Sequence, residues 1–321
     1  MSFRVAGLII ALLVGAFSWI LTCAAWQFDQ VAAGVIPLDP REFETLTVVT
    51  LGTAGAAEDH NRRGTSVAAA VGTDVVLVDA GRGVAEALRA ASIPVSQPDV
   101  VLLTHILPEN TVGLDDLLAA AWRNGRREPI RLYGPPGTAA VAKAVVASIA
   151  PGAAARALAL GDDGTPPAFT VHEFISSGDG TLGGLSFAAT SLPGGPLPAL
   201  AWRVEAEGRS AVVSGTGWGA DALEAFAKGS QLLVHDAVYV PSPEEAAEHG
   251  LEEDPERLRR EAAFYTHLDD VGAVARRAGV GTLVLVRLRP PPVYDLQITM
   301  RVDDQFDGRI AVAQDGDEYV P

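Results

Sequence analysis

The sequence predicts a layered α/β protein in which two β-sheets pack face to face with helices outside, preceded by a hydrophobic N-terminal helix. Short β-rich apolar runs alternate with helical segments in parts of the chain and follow one another directly in others. Hydrophobic residues make up 48% of the 321 residues, which is enough to build a core without the help of disulfides. The single cysteine, Cys23, excludes an intrachain disulfide.

The individual elements follow from local patterns. Strands are predicted where apolar, β-branched runs end in glycine, proline or polar residues, and helices where alanine, valine and leucine recur at helical spacing. In chain order these are strands 45–52, 66–72 and 74–81, helix 84–91, strand 100–105, helix 114–123, strand 131–137, helix 138–149, strands near 168–173, 185–190, 200–205 and 210–214, helix 220–228, strand 231–236, helix 269–278 and strand 282–288. The polar, acidic segment 241–262 has helical propensity and is typical of a surface insertion.

Residues 5–28 contain no charged side chain and follow Arg4. About 20 apolar residues suffice to span a bilayer, so this segment is either a transmembrane anchor or a signal peptide with a cleavage site ending at Ala25. The positive-inside tendency places Arg4 in the cytoplasm and the rest of the chain on the extracytoplasmic, for example periplasmic, side. We therefore divide the chain into an anchor or signal at 1–29, a linker at 30–44 and a folded domain at 45–321.

The charge balance bears on possible partners. The formal net charge is −16 and the sequence pI is near 4.7. Affinity for nucleic acids depends on cationic contacts to phosphate, so RNA and DNA are not expected as partners.

Several segments, in order, are similar to the ribonuclease Z and arylsulfatase branch of the metallo-β-lactamase-fold superfamily. They are LGTAG (51–55), LVDAGRG (77–83), LLTHILPENTVGL (102–114), LYGPPGT (132–138), VVSGTG (212–217), LLVHDAVY (232–239) and AGVGTLVLVRL (278–288). The resemblance covers about residues 45 to 312. It implies an αββα sandwich with a dinuclear metal site at the edge of the two sheets, and a homodimer, because members of this family often dimerise.

The main metal-binding motif of that family is His-x-His-x-Asp-His after a threonine. Here only the first histidine is kept, as His105, while Leu107, Glu109 and Asn110 stand at the other three positions. Leucine offers no lone pair, asparagine is a poor neutral ligand, and glutamate keeps the carboxylate one methylene further out.

The other ligand positions implied by the resemblance have also changed. Gly194 stands where a histidine is expected, Thr216 replaces the bridging aspartate, and Arg287 replaces the last histidine. A histidine that assists protonation would fall near Tyr265, with His267 two residues further on, so these two residues are the catalytic candidates. No cofactor is expected, and zinc enters only if a rearranged site uses His105 and Glu109.

Arg287 is the most informative of these substitutions, because it brings a permanent cation to a former ligand position. We expect it to pair with Glu109 in place of the metal, since a buried guanidinium needs a carboxylate partner. A rival use of Arg287 is bidentate binding of a small anionic ligand. Asp79 is expected to tie its loop by hydrogen bonds, and His235 and Asp236 to form a buried polar support beneath the cleft.

The residues thus favour an exported or membrane-tethered pseudoenzyme that binds a small anionic ligand or a protein partner. The alternative is a metal-dependent hydrolase of esters, phosphodiesters or sulfates with a mononuclear or rearranged site. A third reading, an inactive subunit beside an active paralogue, requires a partner that the sequence does not identify.

Overall fold

The computed structural model describes residues 3–35, 37–56, 59–161, 167–215, 217–240, 255–289 and 295–321. The chain divides into two compact units, Met1–Asp39 and Pro40–Pro321. In the first unit, helix α1 (Phe3–Val35) contains the uncharged segment. The helix continues beyond residue 28 into the predicted linker, because Asp29 and Gln30 are compatible with a helix and the next residue that breaks one is Pro37.

The second unit contains two seven-stranded sheets. The first has the strand order β14-β1-β2-β3-β4-β5-β6, and the second has the order β13-β12-β11-β10-β9-β8-β7. The strands of the first sheet are β1 (Phe43–Gly52), β2 (Ser66–Gly72), β3 (Asp74–Val78), β4 (Val100–Leu102), β5 (Ile130–Gly134), β6 (Phe169–Glu173) and β14 (Asp317–Tyr319). Those of the second are β7 (Ser177–Leu182), β8 (Leu185–Ser191), β9 (Leu200–Ala206), β10 (Arg209–Ser214), β11 (Leu232–Val238), β12 (Thr282–Arg289) and β13 (Arg309–Val312).

The described helices of the second unit are α2 (Val84–Ala90), α3 (Pro108–Thr111), α4 (Leu114–Arg123), α5 (Thr138–Leu160), α6 (Ala220–Ala227), α7 (Pro255–Ala262), α8 (Leu268–Ala278) and α9 (Asp295–Asp303). Helices α2, α4, α5, α6, α8 and α9 cover the outer faces of the two sheets. One apolar cluster, which includes Trp202 and Phe187, fills the space between the sheets. A second lies between the first sheet and helices α2, α4 and α5, and a third lies between the second sheet and α6, α8 and α9. The predicted αββα sandwich is therefore confirmed.

Strands β3, β4, β5 and β6 are parallel, each paired with the next, so their carboxyl ends meet at one edge of the first sheet. Parallel pairing of β10, β11 and β12 does the same in the second sheet. Loops that carry functional side chains gather at such edges, and the site described below lies there. We call this the cleft edge.

Two helical predictions differ from the structure. Helix α5 continues through Pro151 to Leu160 instead of ending at residue 149, because the alanines after Gly152 favour helix and outweigh the local interruption. This helix is long and apolar enough to cross a membrane by length and composition alone, yet Ala142 and Ala157 are buried against the domain. In the segment 241–262, the part from Pro255 is helical, and residues 241–254 lie outside the described residues.

Candidate functional site

Asp79, which follows β3, organises the loops of the first sheet at the cleft edge. Its Oδ1 accepts a hydrogen bond from the Thr104 amide at 2.8 Å, and its Oδ2 accepts one from the Thr104 hydroxyl at 2.7 Å. The Asn110 side-chain amide also donates to Oδ2 at 2.8 Å. Burial raises the pKa of Asp79 to about 6, and these hydrogen bonds together with the charge of Arg287 oppose that rise. Asp79 and Asn110 therefore form a hydrogen-bonded brace.

His105 is fully buried next to this brace. Its Nδ1 lies 2.9 Å from Thr104 Oγ1. Because the Thr104 hydroxyl already donates its proton to Asp79, Nδ1 is the donor to Thr104 and Nε2 carries the lone pair. Nε2 has no hydrogen-bond partner among the described residues. Burial, followed by the charge of Arg287, lowers the pKa of His105 to about 3, so the ring is neutral at physiological pH.

Arg287 occupies the centre of the site and is 2% exposed. Its backbone has a φ of 53°, an uncommon value for a residue with a side chain, and its amide donates to the Thr53 carbonyl at 2.8 Å. The guanidinium carbon lies 5.5 Å from the centre of the Tyr265 ring, which is a cation–π contact. Its Nε and Nη1 have no hydrogen-bond acceptor among the described residues.

The glycines of the loop after β10 allow the second sheet to approach this group. A Cβ atom added to Gly215 would lie 2.7 Å from Thr104 Oγ1 and 2.9 Å from Arg287 Nη1. One added to Gly217 would lie 2.2 Å from the Tyr265 carbonyl. These contacts place the guanidinium between the loops of the two sheets, next to His105 and Thr104.

The expected pairing of Arg287 with Glu109 is not the main electrostatic interaction. Asp236 makes the largest contribution that raises the pKa of Arg287, followed by Tyr265, Asp79 and finally Glu109. Glu109 lies on the short helix α3 and is partly exposed, whereas Asp236 is fully buried on β11. A buried carboxylate is screened less by water than one at the surface, so Asp236 replaces Glu109 as the principal counter-charge.

His235 and Asp236 form the floor of the site on β11. His235 Nε2 lies 2.7 Å from Thr266 Oγ1, and His235 Nδ1 lies 3.3 Å from Asp236 Oδ1. Burial lowers the pKa of His235 to about 4. Burial raises the pKa of Asp236 to about 7, although Arg287 opposes this rise. Both carboxylate oxygens of Asp236 are without a hydrogen-bond partner among the described residues.

The remaining predicted residues have other roles or lie further out. Leu107 is the residue before α3, and its carbonyl accepts hydrogen bonds from the Asn110 amide and the Thr111 hydroxyl. Gly194, with a φ of 108°, is an exposed loop residue between β8 and β9. Thr216 lies outside the described residues.

Of the two catalytic candidates, only Tyr265 contacts the central group. His267 is the N-cap of α8, where its Nδ1 accepts a hydrogen bond from the Asp269 amide at 3.2 Å, and its side chain also lies close to the Asp269 carboxylate. Its place in the sequence, just before an apolar helical pattern, is that of a helix-capping residue.

Sequence reasoning missed Thr104, Thr266 and Trp218 as parts of the site. Thr266 contacts His235, and the indole of Trp218 meets the His105 ring edge-on at 5.9 Å between centroids. Thr104 could have been found, because it directly precedes the retained histidine of the motif. Nothing in the local sequence distinguishes Thr266 or Trp218 from other buried residues.

The side chains at the cleft edge that could bind a metal are not arranged as in a two-metal centre. In the described part of the chain, no three His, Cys, Asp or Glu side chains converge in the manner of metal ligands. A permanent cation stands beside His105, and a divalent ion there would be repelled by it. The cavity that flanks the site, lined by Gly55, Tyr265 and Arg289 among others, has a volume of about 10 Å³, which is room for one water molecule.

Comparison with known proteins agrees with this architecture. The family model described as "Beta-lactamase superfamily domain" matches residues 75–286, and the chain belongs to this superfamily. Among curated relatives, ribonuclease Z of Mycobacterium bovis BCG is 29% identical over 276 residues, which is 84% of this chain and 96% of the relative. Ribonuclease Z of Mycobacterium sp. strain KMS is 30% identical over 275 residues, covering 84% of this chain and 94% of the relative.

A solved structure gives the same fold. The metallo-β-lactamase-fold protein YhfI of Bacillus subtilis superposes with a TM-score of 0.64 at 17% identity, covering 86% of this chain and 99% of that protein. The resemblance predicted from the motifs, a metallo-β-lactamase-fold protein with ribonuclease Z relatives, is therefore confirmed.

Proposed function

We propose that this protein is an extracytoplasmic, membrane-tethered member of the superfamily that binds a partner at its cleft edge and has lost dinuclear hydrolysis. One observation carries the proposal: the guanidinium of Arg287 is buried at the cleft edge, at the position that corresponds, by the resemblance of the motif, to a metal ligand. Its neighbours are Asp236, Tyr265 and the single retained imidazole of His105. The arginine supplies a fixed positive charge that holds the loops of both sheets together without a divalent ion.

The nature of the site favours binding over hydrolysis. Two-metal hydrolases use the ions to generate a hydroxide and to stabilise the leaving oxygen. A guanidinium can orient an anion, but it cannot activate water as a base, because it has no lone pair to accept a proton and stays charged. The cavity that flanks the site holds about one water molecule, which supports a partner that contacts the rim of the site, either a protein or a small anion.

Tethering is supported by helix α1. Its uncharged segment, residues 5–28, follows Arg4, and the helix runs from Phe3 to Val35 without a break at Ala25. A helix of this length exceeds the roughly 20 residues needed to span a bilayer. With Arg4 on the cytoplasmic side, the folded unit lies on the other side of the membrane.

The test is metal content and activity of the purified full chain. After incubation with zinc and removal of free metal, elemental analysis should find far less than one zinc per chain. Chromogenic phosphodiester, ester and sulfate substrates should not be hydrolysed. Stoichiometric zinc together with hydrolysis that a chelator abolishes would instead establish the second candidate, a metal-dependent hydrolase.

That second candidate rests on one feature. The Nε2 lone pair of His105 has no partner among the described residues, and Glu109 is on the adjacent helix α3. A single ion held by these two side chains and by water would need Arg287 to move, because its charge already opposes any cation there.

A further inference from the structure

We propose that the edge of the first sheet opposite the cleft docks on an anionic phospholipid surface beside the anchor helix. This inference rests on the proposed membrane tether and adds a second contact with the membrane. We call this surface the basal edge. It consists of the amino ends of β3 to β6 and the carboxyl ends of helices α2, α4 and α5.

The folded unit begins at this edge. Strand β1 is antiparallel to β2, and β2 is antiparallel to β3, so β1 starts at the same edge as β3 to β6. Just before β1, the Arg41 side chain donates to the Ala91 carbonyl at 2.7 Å, and the Arg41 amide donates to Gln97 Oε1 at 2.9 Å. Ala91 ends helix α2. The chain therefore enters the folded unit at the basal edge.

This edge carries a group of arginines although the chain as a whole is acidic. Residues 122–131 contain four arginines and one glutamate, and the carboxyl half of helix α5 contains Arg156 and no acidic residue, whereas the whole chain has a net charge of −16. Asp74 and Asp99 lie at the amino ends of β3 and β4, and Asp99 is paired with Arg126. Arg123, Arg127 and Arg156 are exposed. Basic residues near a membrane each contribute about 1 kcal/mol to its attraction when the lipids are anionic.

The basic residues form one continuous surface with the entry point. Arg126 donates to the carbonyls of Ser96 and Pro98, which flank Gln97, and it forms an ion pair with Asp99. Arg127 lies over the Trp122 ring, at 5.8 Å from its centroid. Trp122 in turn packs against Ala153 and Ala157 of α5.

An exposed apolar side adjoins these arginines at the end of α5. Leu158 is 85% exposed and Leu160 is 68% exposed, in a helix that is apolar almost throughout. Exposed leucines next to arginines are typical of segments that lie in the interface of a bilayer. Single-stranded RNA would instead need exposed aromatic rings for stacking, whereas Trp122, next to Arg127, is buried and Phe169, at the amino end of β6, is partly buried. The leucines therefore favour lipid as the partner.

The experiment uses the full chain in nanodiscs of phosphatidylcholine, with and without phosphatidylglycerol. A nitroxide is attached at position 158 through Leu158→Cys in a Cys23→Ser background, and its collisions with oxygen and with a water-soluble nickel complex are compared. We expect the label at 158 to be in lipid when phosphatidylglycerol is present. A label introduced by Val112→Cys is the matched control, because Val112 is also an exposed apolar residue, 55% exposed, but lies at the cleft edge; it should remain in water.

Charge reversal tests the role of the anionic headgroups. Arg127→Glu and Arg156→Glu together should lower the docking equilibrium by at least about 25-fold, because each lost arginine accounts for roughly fivefold and each new glutamate is also repelled by the anionic surface. The double variant Arg82→Glu/Arg301→Glu changes the net charge equally at the cleft side and should have little effect. A label at 158 that enters lipid equally in phosphatidylcholine alone would overturn the electrostatic part of the proposal.

A label on the native Cys23 separates this proposal from the tether. If the Cys23 label is in lipid but the label at 158 stays in water, docking is refuted and the tether stands. If the Cys23 label itself is in water, the proposed tether fails. If the label at 158 stays in water and Arg127→Glu/Arg156→Glu abolishes binding of an oligoribonucleotide, the basal edge is a nucleic-acid surface and the lipid proposal is wrong.

Discussion

Replacing Arg287 with methionine should destabilise the protein in a pH-dependent manner. The side chain is 2% exposed, so Arg287→Met keeps most of the buried volume and removes mainly the charge. In this variant the buried carboxyl of Asp236 no longer has the positive charge of Arg287 near it. Leaving a buried carboxyl without a nearby positive charge is unfavourable only while the carboxyl is ionised, so the cost of the substitution depends on pH.

The sign of the pH dependence follows from Asp236. Burial already raises its pKa from 3.8 to about 7 against the opposing effect of Arg287, so its pKa in the variant is higher still. The stability contributed by a carboxyl with a raised pKa is present below its ordinary pKa and is lost as the pH rises through the folded value. Below about pH 6 the Asp236 carboxyl is neutral and the substitution should cost little, whereas at pH 8.5, about 1.5 units above the wild-type pKa of about 7, it should cost up to about 2 kcal/mol.

Thermal unfolding followed by the fluorescence of the five tryptophans measures this effect. In a domain of this size, 1 kcal/mol shifts the melting temperature by about 2–4 °C, so we expect a loss of about 4–8 °C at pH 8.5. Exposed Arg276→Met is the matched control and should change stability by less than about 0.5 kcal/mol. The double variant Arg287→Met/Asp236→Asn should recover much of the loss. A loss that is equal at both pH values, or no loss at all, would refute the electrostatic role of Arg287.

Further predictions concern the same buried network. As the pH falls from 6.5 towards 3, the wild type should lose unfolding free energy relative to His105→Gln by about 1.4 kcal/mol per pH unit, because the stability contributed by a histidine with a lowered pKa is lost in that range. Chemical denaturation at several pH values measures the difference in unfolding free energy between the two proteins. A difference that does not change with pH would show that His105 is not held neutral. Asn110→Ala should lower the free energy of unfolding by about 1–3 kcal/mol, because Asp79 loses one hydrogen-bond donor. Asn110→Asp should lower it further at neutral pH, because it places a second carboxyl beside Asp79. Equal melting temperatures for the two variants would contradict this prediction. Intact mass of the chain extracted from membranes should include residues 1–35, whereas a mass that lacks residues 1–25 would identify a cleaved signal peptide.

Much of the fold could be predicted from the sequence because buried strands have a clear apolar signature. VVLL before Thr104 and LLVHD before Ala237 are recognisable without a structure. Strand β7 was missed because Ser177–Leu182 is glycine-rich and polar, and it is defined by its pairing with β8 rather than by its own composition. The length of α5 was underestimated because Pro151 is a strong local stop signal whose effect the following alanines outweigh.

The site could be located from the sequence, but its interactions could not. The position of Arg287 at the end of β12 followed from the motif, yet its main partner is Asp236, on the neighbouring strand β11, rather than Glu109. Which carboxylate interacts most strongly depends on burial, and burial is decided by contacts between distant segments. The role of His267 as a helix cap also required the position at which α8 begins.

The most direct test of the central claim is a crystal structure of the protein grown with excess zinc, with anomalous scattering measured at the zinc absorption edge. We predict that the guanidinium of Arg287 lies between His105 and Asp236 and that no anomalous peak lies beside His105. Two anomalous peaks bound to His105 and its neighbours, with Arg287 displaced, would contradict the account.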